Sequence, residues 1–289
     1  MERKIILITG STDGIGKVTA KILAKQGHTV IVHGRNKSKA EAVCEEIKSE
    51  TGNNKIDFVI ADLFFLSDVK RMADEFKKRY ERLDVLINNA GAMFGKERET
   101  TKEGFEKTMA LNLFSPFLLT RLLLEVLAKS PSARIINVSS AAHTMSGKPD
   151  LSDIQLNRNY SFGNAYGQSK LYLIWVTQHL ATELKEKGLS NITANSLHPG
   201  TIRTEFGQSA NKGFWVNLLF KFSMLFAITP EQGAVNTFYL ATSKDVETVT
   251  GKYFSNKKVA KPTTKYYSPG NENIVWDYCM QIAKPYLDK

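Results

Sequence analysis

Short apolar runs alternate along the chain with stretches whose apolar positions recur every three or four residues. The runs Ile5–Thr9, Thr29–His33, Ile56–Ala61, Leu83–Asn88, Arg134–Ser139 and Ile192–Leu197 are rich in Val and Ile and too short for helices. Between them lie helical patterns. Gly14–Gly27 carries Val18, Ile22 and Leu23 on one face, Lys37–Glu50 carries Ala40, Val43 and Ile47, and Ser67–Tyr80 follows. A long helical stretch from Thr101 contains Pro116 and is expected to bend there. Ala165–Lys187 reads as a long helix ended by Gly188, and Asn271–Leu287 as a closing helix around Val275, Trp276, Cys279 and Ile282. Apolar strands separated by helices predict a parallel sheet covered on both faces, and right-handed crossovers make it doubly wound. The expected architecture is α/β, one domain over residues 1–289.

One segment breaks the rhythm. Residues 213–228, GFWVNLLFKFSMLFAI, are too apolar for a surface loop and too short to span a bilayer. The segment ends at Thr229-Pro230-Glu231-Gln232, a helix start with Thr at the N-cap, Pro at N1 and Gln at N3. An insertion over about 205–228 is therefore expected at the carboxyl edge of the sheet, where such folds bind ligands. Phe214, Trp215, Leu218, Phe222 and Phe226 are candidates to line a lid over a greasy substrate. Contact with another subunit or a membrane surface, and plain core packing, compete with that reading.

Composition narrows the classes. Hydrophobic residues at 42% and charged residues at 24% are ordinary for a globular chain. The net charge is +10, with the lysines read as spread along the chain and no basic stripe interleaved with aromatics, which argues against nucleic acid. A polyanionic cofactor, an anionic membrane surface or simple solubility would each account for the charge. Cys44 and Cys279 sit in no metal-ligand spacing and read as reduced thiols. His143 and His198 lack partners at metal spacing and are expected to be structural or site-lining, so no metal is expected. Met1–Lys4 reads as a short charged lead, and no stretch reads as a membrane span. The expected location is cytoplasmic, with peripheral membrane contact through the apolar segment as a further expectation.

Three places carry chemistry. The first strand–helix turn reads Thr9-Gly10-Ser11-Thr12-Asp13-Gly14-Ile15-Gly16, glycines spaced for a tight turn, a close pyrophosphate and close helix packing. It follows a strand and opens a helix, the context a dinucleotide turn requires, and the helix N-terminus favours phosphate. The second strand ends His33-Gly34-Arg35-Asn36-Lys37. Gly34 stands where an acid would hold a ribose hydroxyl, and Arg35 offers a planar fork to a 2′-phosphate, so NADP(H) is expected, with Lys37 a weaker helper. Tyr166-Gly167-Gln168-Ser169-Lys170 puts a phenol and an ammonium on one helix face, where the ammonium would lower the phenol pKa. Two strands end in small polar residues at the same edge: Ser139-Ser140, and Asn88-Asn89-Ala90-Gly91.

With those motifs, Asp62 after the third strand, Asn112 and Pro199-Gly200 in order, the chain resembles the short-chain dehydrogenase/reductases over nearly its whole length. Asn137–His143, His198-Pro199-Gly200 and Gly251–Ser255 look most like the retinol dehydrogenase group. The resemblance implies a Rossmann fold with Tyr166 as general acid/base, Ser140 on the substrate oxygen, Lys170 on the nicotinamide ribose and Asn112 holding a relay water. It further implies Asp62 and Leu63 beside the adenine, Asn89 and Ala90 along the ribose region, and Pro199, Gly200, Ile202 and Thr204 at the carboxamide. The expected activity is NADP(H)-dependent interconversion of a lipophilic alcohol and its aldehyde or ketone, including carbonyl reduction. Two alternatives stand beside it: a non-catalytic NADP(H)-binding sensor or scaffold of the same fold, and a nucleotide-sugar epimerase or dehydratase on a related one.

Overall fold

A computed structural model describes residues 3–200 and 229–288. Its eight strands are β1 (Ile5–Ile8), β2 (Thr29–Gly34), β3 (Ile56–Ile60), β4 (Val85–Asn88), β5 (Ala133–Val138), β6 (Ile192–His198), β7 (Tyr253–Ser255) and β8 (Lys258–Ala260). They form one sheet in the order β3-β2-β1-β4-β5-β6-β7-β8. Every pairing is parallel except β7 with β8. The order turns between β1 and β4, which opens a crevice at the carboxyl ends of those strands.

Strands β1 to β6 feed both faces. Leu7, Ile31, Leu86 and Ile135 face the core shared with helices α3 (Leu66–Arg79), α4 (Lys107–Ala128) and α5 (Phe162–Glu186). Ile6, Ile8, Val30, Val32 and Ile87 face α1 (Gly14–Lys25), α2 (Lys37–Thr51) and α6 (Pro230–Thr242). The helix start at Thr229 is as expected: its side chain accepts from the Gln232 amide, with the reciprocal bond completing a capping box. Cys44 and Cys279 are free and buried.

Five expectations change. Helix α1 packs through Gly16, Thr19, Ala20, Leu23 and Ala24, while Val18 and Ile22 lie at its flank. Small residues let this helix approach the sheet more closely than its larger apolar ones would. Helix α4 begins at Lys107, not Thr101, because the Glu106 carboxylate caps it by accepting from the Thr108 and Met109 amides (2.9 and 2.7 Å). Its irregularity is a π turn at Ala110–Phe114, just before Pro116. By length and apolar composition α4 could cross a membrane, contrary to the reading that no stretch could, but 72% of that window is buried and the helix is core. Finally, β7 and β8 form a hairpin that the alternation of strands and helices does not predict. Asn256 and Lys257 make its two-residue turn, both at positive φ.

That hairpin also revises the charge distribution. Lys252, Lys257, Lys258, Lys261 and Lys265 fall in a stretch with no acid between Glu247 and Glu272. All five are exposed. They supply half the net charge, so the lysines do cluster.

The last helix, α7 (Pro269–Leu287), lies across α4 and α5. Trp276 meets the Phe117 ring edge-on at 5.0 Å and stacks on His179 at 4.2 Å. The aromatic run on α5 is core: Tyr172 and Trp175 are fully buried.

Candidate active site

The polar groups gather at the carboxyl edge of β1, β4, β5 and β6. Gly10 adopts φ +61°, a conformation open to glycine at little cost, and this bends the chain off β1. A Cβ on Gly16 would overlap the Gly10 carbonyl oxygen, so α1 can sit this close only with glycine there. The amides of Ile15 and Gly16, in the first turn of α1, have no intrahelical acceptor and face an anion's natural position. Asp13 caps the helix through the Gly14 amide (2.8 Å), and Lys39 pairs with its carboxylate at 2.7 Å. Hydrogen bonding from Lys39 holds the Asp13 carboxyl below the usual range. This pairing offsets the negative charge of Asp13 at the mouth of the turn.

Several predicted contacts turn out to brace the turn. Ser11 is fully buried: its hydroxyl donates to the Ile8 carbonyl (2.7 Å) and its amide to the His33 carbonyl (3.0 Å). The Asn89 amide donates to the carbonyls of Thr9 and Gly10 (2.9 and 3.1 Å). Thr9, which the sequence reading passed over, accepts from the amides of Asn89 and Ala90 at 3.0 Å each. Asp62 holds the turn after β3 by accepting from the Phe64 amide (3.1 Å), and Leu63 is buried beside it.

At the end of β2, Arg35 is exposed and makes no ion pair among the described residues. Lys37 pairs with Glu41 and Lys39 with Asp13, and Asn36 caps α2 through the Lys39 amide (2.9 Å). The Cβ of any residue at Gly34 would lie 2.6 Å from the Thr12 side chain, so an acid there would require Thr12 to move.

The catalytic candidates converge. Ser161 caps α5, which puts Tyr166 in its second turn and Lys170 one turn further on. The Ser140 side chain lies beside the Tyr166 hydroxyl, close enough to lower its pKa. The Lys170 ammonium donates to the Val138 carbonyl (2.9 Å) and lies 5.9 Å from the Tyr166 ring centre. Burial pushes the Tyr166 phenol up to about 12, against a smaller lowering by Ser140, and burial pulls Lys170 down to about 7. Burial is the largest cause at both groups, and Lys170, expected to lower the phenol, is not among the causes acting on it. Ser139, also overlooked in the sequence, donates to the Lys170 carbonyl (2.9 Å).

Asn112 lies in the π turn. Its amide brackets residue 92, accepting from the Ala92 amide (3.0 Å) and donating to the Ala92 carbonyl (2.9 Å), and it also reaches the Ser169 hydroxyl (3.0 Å). Both Asn112 side-chain N–H groups are engaged, so it can hold a water only as an acceptor, through the second lone pair of Oδ1 or its main-chain carbonyl. Pro116, four residues on, has no N–H to take that carbonyl. Gly91 lies against both groups: its Cβ position is 2.9 Å from the Lys170 nitrogen and 3.1 Å from the Asn112 oxygen.

The histidines are structural, as expected. His143 faces the Ser140 carbonyl (2.7 Å) and accepts from the Thr263 amide (3.1 Å), while His198 accepts from the Ala141 amide (3.2 Å). Among the described residues, no group of His, Cys, Asp or Glu could hold a metal. Pro199 and Gly200 reach the same edge, with Pro199 buried and Gly200 at φ +106°. Ile202, Thr204, Phe214, Trp215, Leu218, Phe222 and Phe226 lie outside the described residues.

A dinucleotide turn, a Ser–Tyr pair beside a buried Lys and an asparagine in a π turn together define the comparison to make. Residues 4–214 match the family model for short chain dehydrogenases. The chain belongs to that family. It is 39% identical over 286 residues to human polyprenol dehydrogenase, covering 97% of this chain and 85% of that one. It is 37% identical to human retinol dehydrogenase 11, covering 95% and 84%. Among solved structures, an uncharacterised protein from Mycobacterium paratuberculosis superposes with a TM-score of 0.77 at 29% identity, covering 97% of this chain and 93% of that one. The Pseudomonas aeruginosa RhlG/NADP complex superposes with a TM-score of 0.68 at 27% identity, covering 87% and 93%. These relatives bear out the oxidoreductase reading and the likeness to retinol dehydrogenases.

Proposed function

We propose that this chain is a single-domain, NADP(H)-dependent oxidoreductase that interconverts a lipophilic alcohol and its aldehyde or ketone. The observation that carries the reading is the placing of Tyr166, with Ser140 beside its hydroxyl, next to a buried Lys170 anchored on the Val138 carbonyl at the ligand-binding edge of the sheet. A sensor has no chemical need for that set. The residues fit a dinucleotide: the α1 N-terminus and its glycine cradle suit a pyrophosphate, and the unpaired Arg35 suits a 2′-phosphate. The NADP in the RhlG complex is consistent with this preference. Residues 213–228 are apolar enough to cover a greasy substrate, and the named relatives act on polyprenol and retinol.

When bound, the nicotinamide supplies or accepts the hydride. The chain supplies the rest. Ser140 holds the substrate oxygen, and the Tyr166 hydroxyl gives that oxygen a proton in reduction or takes one in oxidation. A phenol near 12 is the acid form at neutral pH, which is the form carbonyl reduction requires. Lys170 places a cation that favours the phenolate when oxidation demands it.

The test is NADPH oxidation, with NADH in parallel, against lipophilic aldehydes and ketones including retinal. Wild type should turn over at least one of them with NADPH. Tyr166→Phe should lose about 10²–10⁴-fold in kcat while its NADPH Kd stays within about threefold. A variant as active as wild type would remove Tyr166 from this role. Tight NADPH binding with no turnover would favour the sensor.

A further inference from the structure

His33 is fully buried at the end of β2, between the glycine turn and the end of β3. The Gly10 amide donates to its Nδ1 (3.0 Å). A ring nitrogen that accepts carries no proton, so the proton sits on Nε2, which faces the Ala61 carbonyl at 3.2 Å. The backbone of His33 adds two bonds to the same turn: its amide donates to the Ser11 hydroxyl (2.9 Å), and its carbonyl accepts from the Ser11 amide (3.0 Å). The ring therefore spans two places. Gly10 starts the phosphate-facing turn, and Ala61 directly precedes Asp62 and Leu63.

We propose that His33 is a positioning residue for dinucleotide binding, its ring a strut that sets the glycine turn against the end of β3. The proposal rests on reading this turn as a dinucleotide site. Two features of the residue suit the task. A fully packed imidazole has little freedom to move. It also satisfies one buried donor and one buried acceptor at a fixed separation, which no aliphatic residue can do. Replacement by Leu would leave the Gly10 amide and the Ala61 carbonyl without these partners. The turn could then relax away from the geometry that two ends of one ligand require.

Three variants separate the contacts. His33→Leu removes both. His33→Asn puts an amide oxygen near the Nδ1 position and keeps the Gly10 bond, whereas His33→Gln extends toward Ala61. NADPH Kd, read by fluorescence titration, should rise at least about tenfold in His33→Leu and recover to within about threefold in His33→Asn. Exchange of the Gly10 amide, followed by NMR without ligand, should speed up in His33→Leu and in His33→Gln but not in His33→Asn. If His33→Leu fails to fold, the Asn and Gln pair still decides the matter. Equal Kd and equal Gly10 exchange in those two would overturn the proposal, as would a folded His33→Leu with wild-type affinity. Failure of wild type to bind either nicotinamide nucleotide would sink the cofactor reading instead. Gly10 exchange would then still report whether His33 holds the turn.

Discussion

Arg35 shows how little of a residue's role is visible in its type alone. Three cations crowd the end of β2, but Lys37 and Lys39 are engaged with Glu41 and Asp13. Only Arg35 of the three makes no ion pair among the described residues. Arg35→Asp should therefore weaken NADPH binding by about 2–3 kcal/mol, roughly 30- to 150-fold, and NADH binding by much less. Parallel Kd titrations check this, and equal losses for the two would mean the guanidinium does not read the 2′-phosphate. The cofactor turn, Ser140, Tyr166 and Lys170 were legible in the sequence, because their spacing follows from strand ends and helical turns, whereas Asn112 came only from the family resemblance. What spacing could not convey is direction. Ser11 and Asn89 turn inward to hold the backbone, and the Asn112 side chain bonds Ala92 and Ser169. Thr9, His33 and Ser139 went unread because a buried Thr, His or Ser carries no periodic signal of its own. Each discloses its purpose only through the backbone group opposite it.

At the scale of elements, strand runs and helices were read to within a few residues, except where local geometry departs from regular periods. The π turn in α4 keeps an apolar helical pattern while adding a residue to one turn, so periodicity alone does not reveal it. The β7–β8 hairpin has strands of three residues each, too short for alternation to register. Its edge strand is short and bears Lys258, features that discourage pairing with another sheet. Helix α7 matters more to the site than its distance along the chain suggests. Gln155 donates to the Tyr278 hydroxyl on α7 (2.8 Å) and accepts from the Glu106 amide (2.8 Å), the residue that caps α4. The closing helix is thereby linked to the element that carries Asn112. Trp276 is its main anchor, 7% exposed between Phe117 and His179. Trp276→Ala should cost about 3–5 kcal/mol, read as a lower urea midpoint at constant m-value. A loss below about 1 kcal/mol would mean that α7 is not part of the cooperative unit.

Across the whole molecule, four of the five histidines accept backbone amides, three of them buried and His198 half-buried. His28 Nδ1 takes the Lys4 amide (3.2 Å), His33 Nδ1 the Gly10 amide, His143 Nε2 the Thr263 amide, and His198 Nδ1 the Ala141 amide. A protonated imidazole cannot accept, and burial already disfavours its charge. All four pKa values are accordingly lowered, with burial the largest cause in each. Lys4 adds to the lowering at His28 and Asp84 opposes it, His143 adds at His198, and the carbonyls of Ala61 and Ser140 oppose it at His33 and His143. The sign follows from proton uptake. An unfolded histidine takes up its proton near 6.5, whereas folded His33 resists down to about 4. Between those values the unfolded chain binds more protons, so this stability is present above pH 6.5 and is lost as pH falls. His33 alone accounts for about 2 kcal/mol of loss by pH 5 and about 3 by pH 4. The urea midpoint should therefore begin to drop just below pH 6.5, well above the range where ordinary carboxylates titrate. His33→Asn should remove part of that slope while keeping the Gly10 bond. A midpoint that stays flat from pH 7 to pH 5 would show that these rings are protonated in the fold at no cost, and the acceptor geometry assigned to them would have to be abandoned.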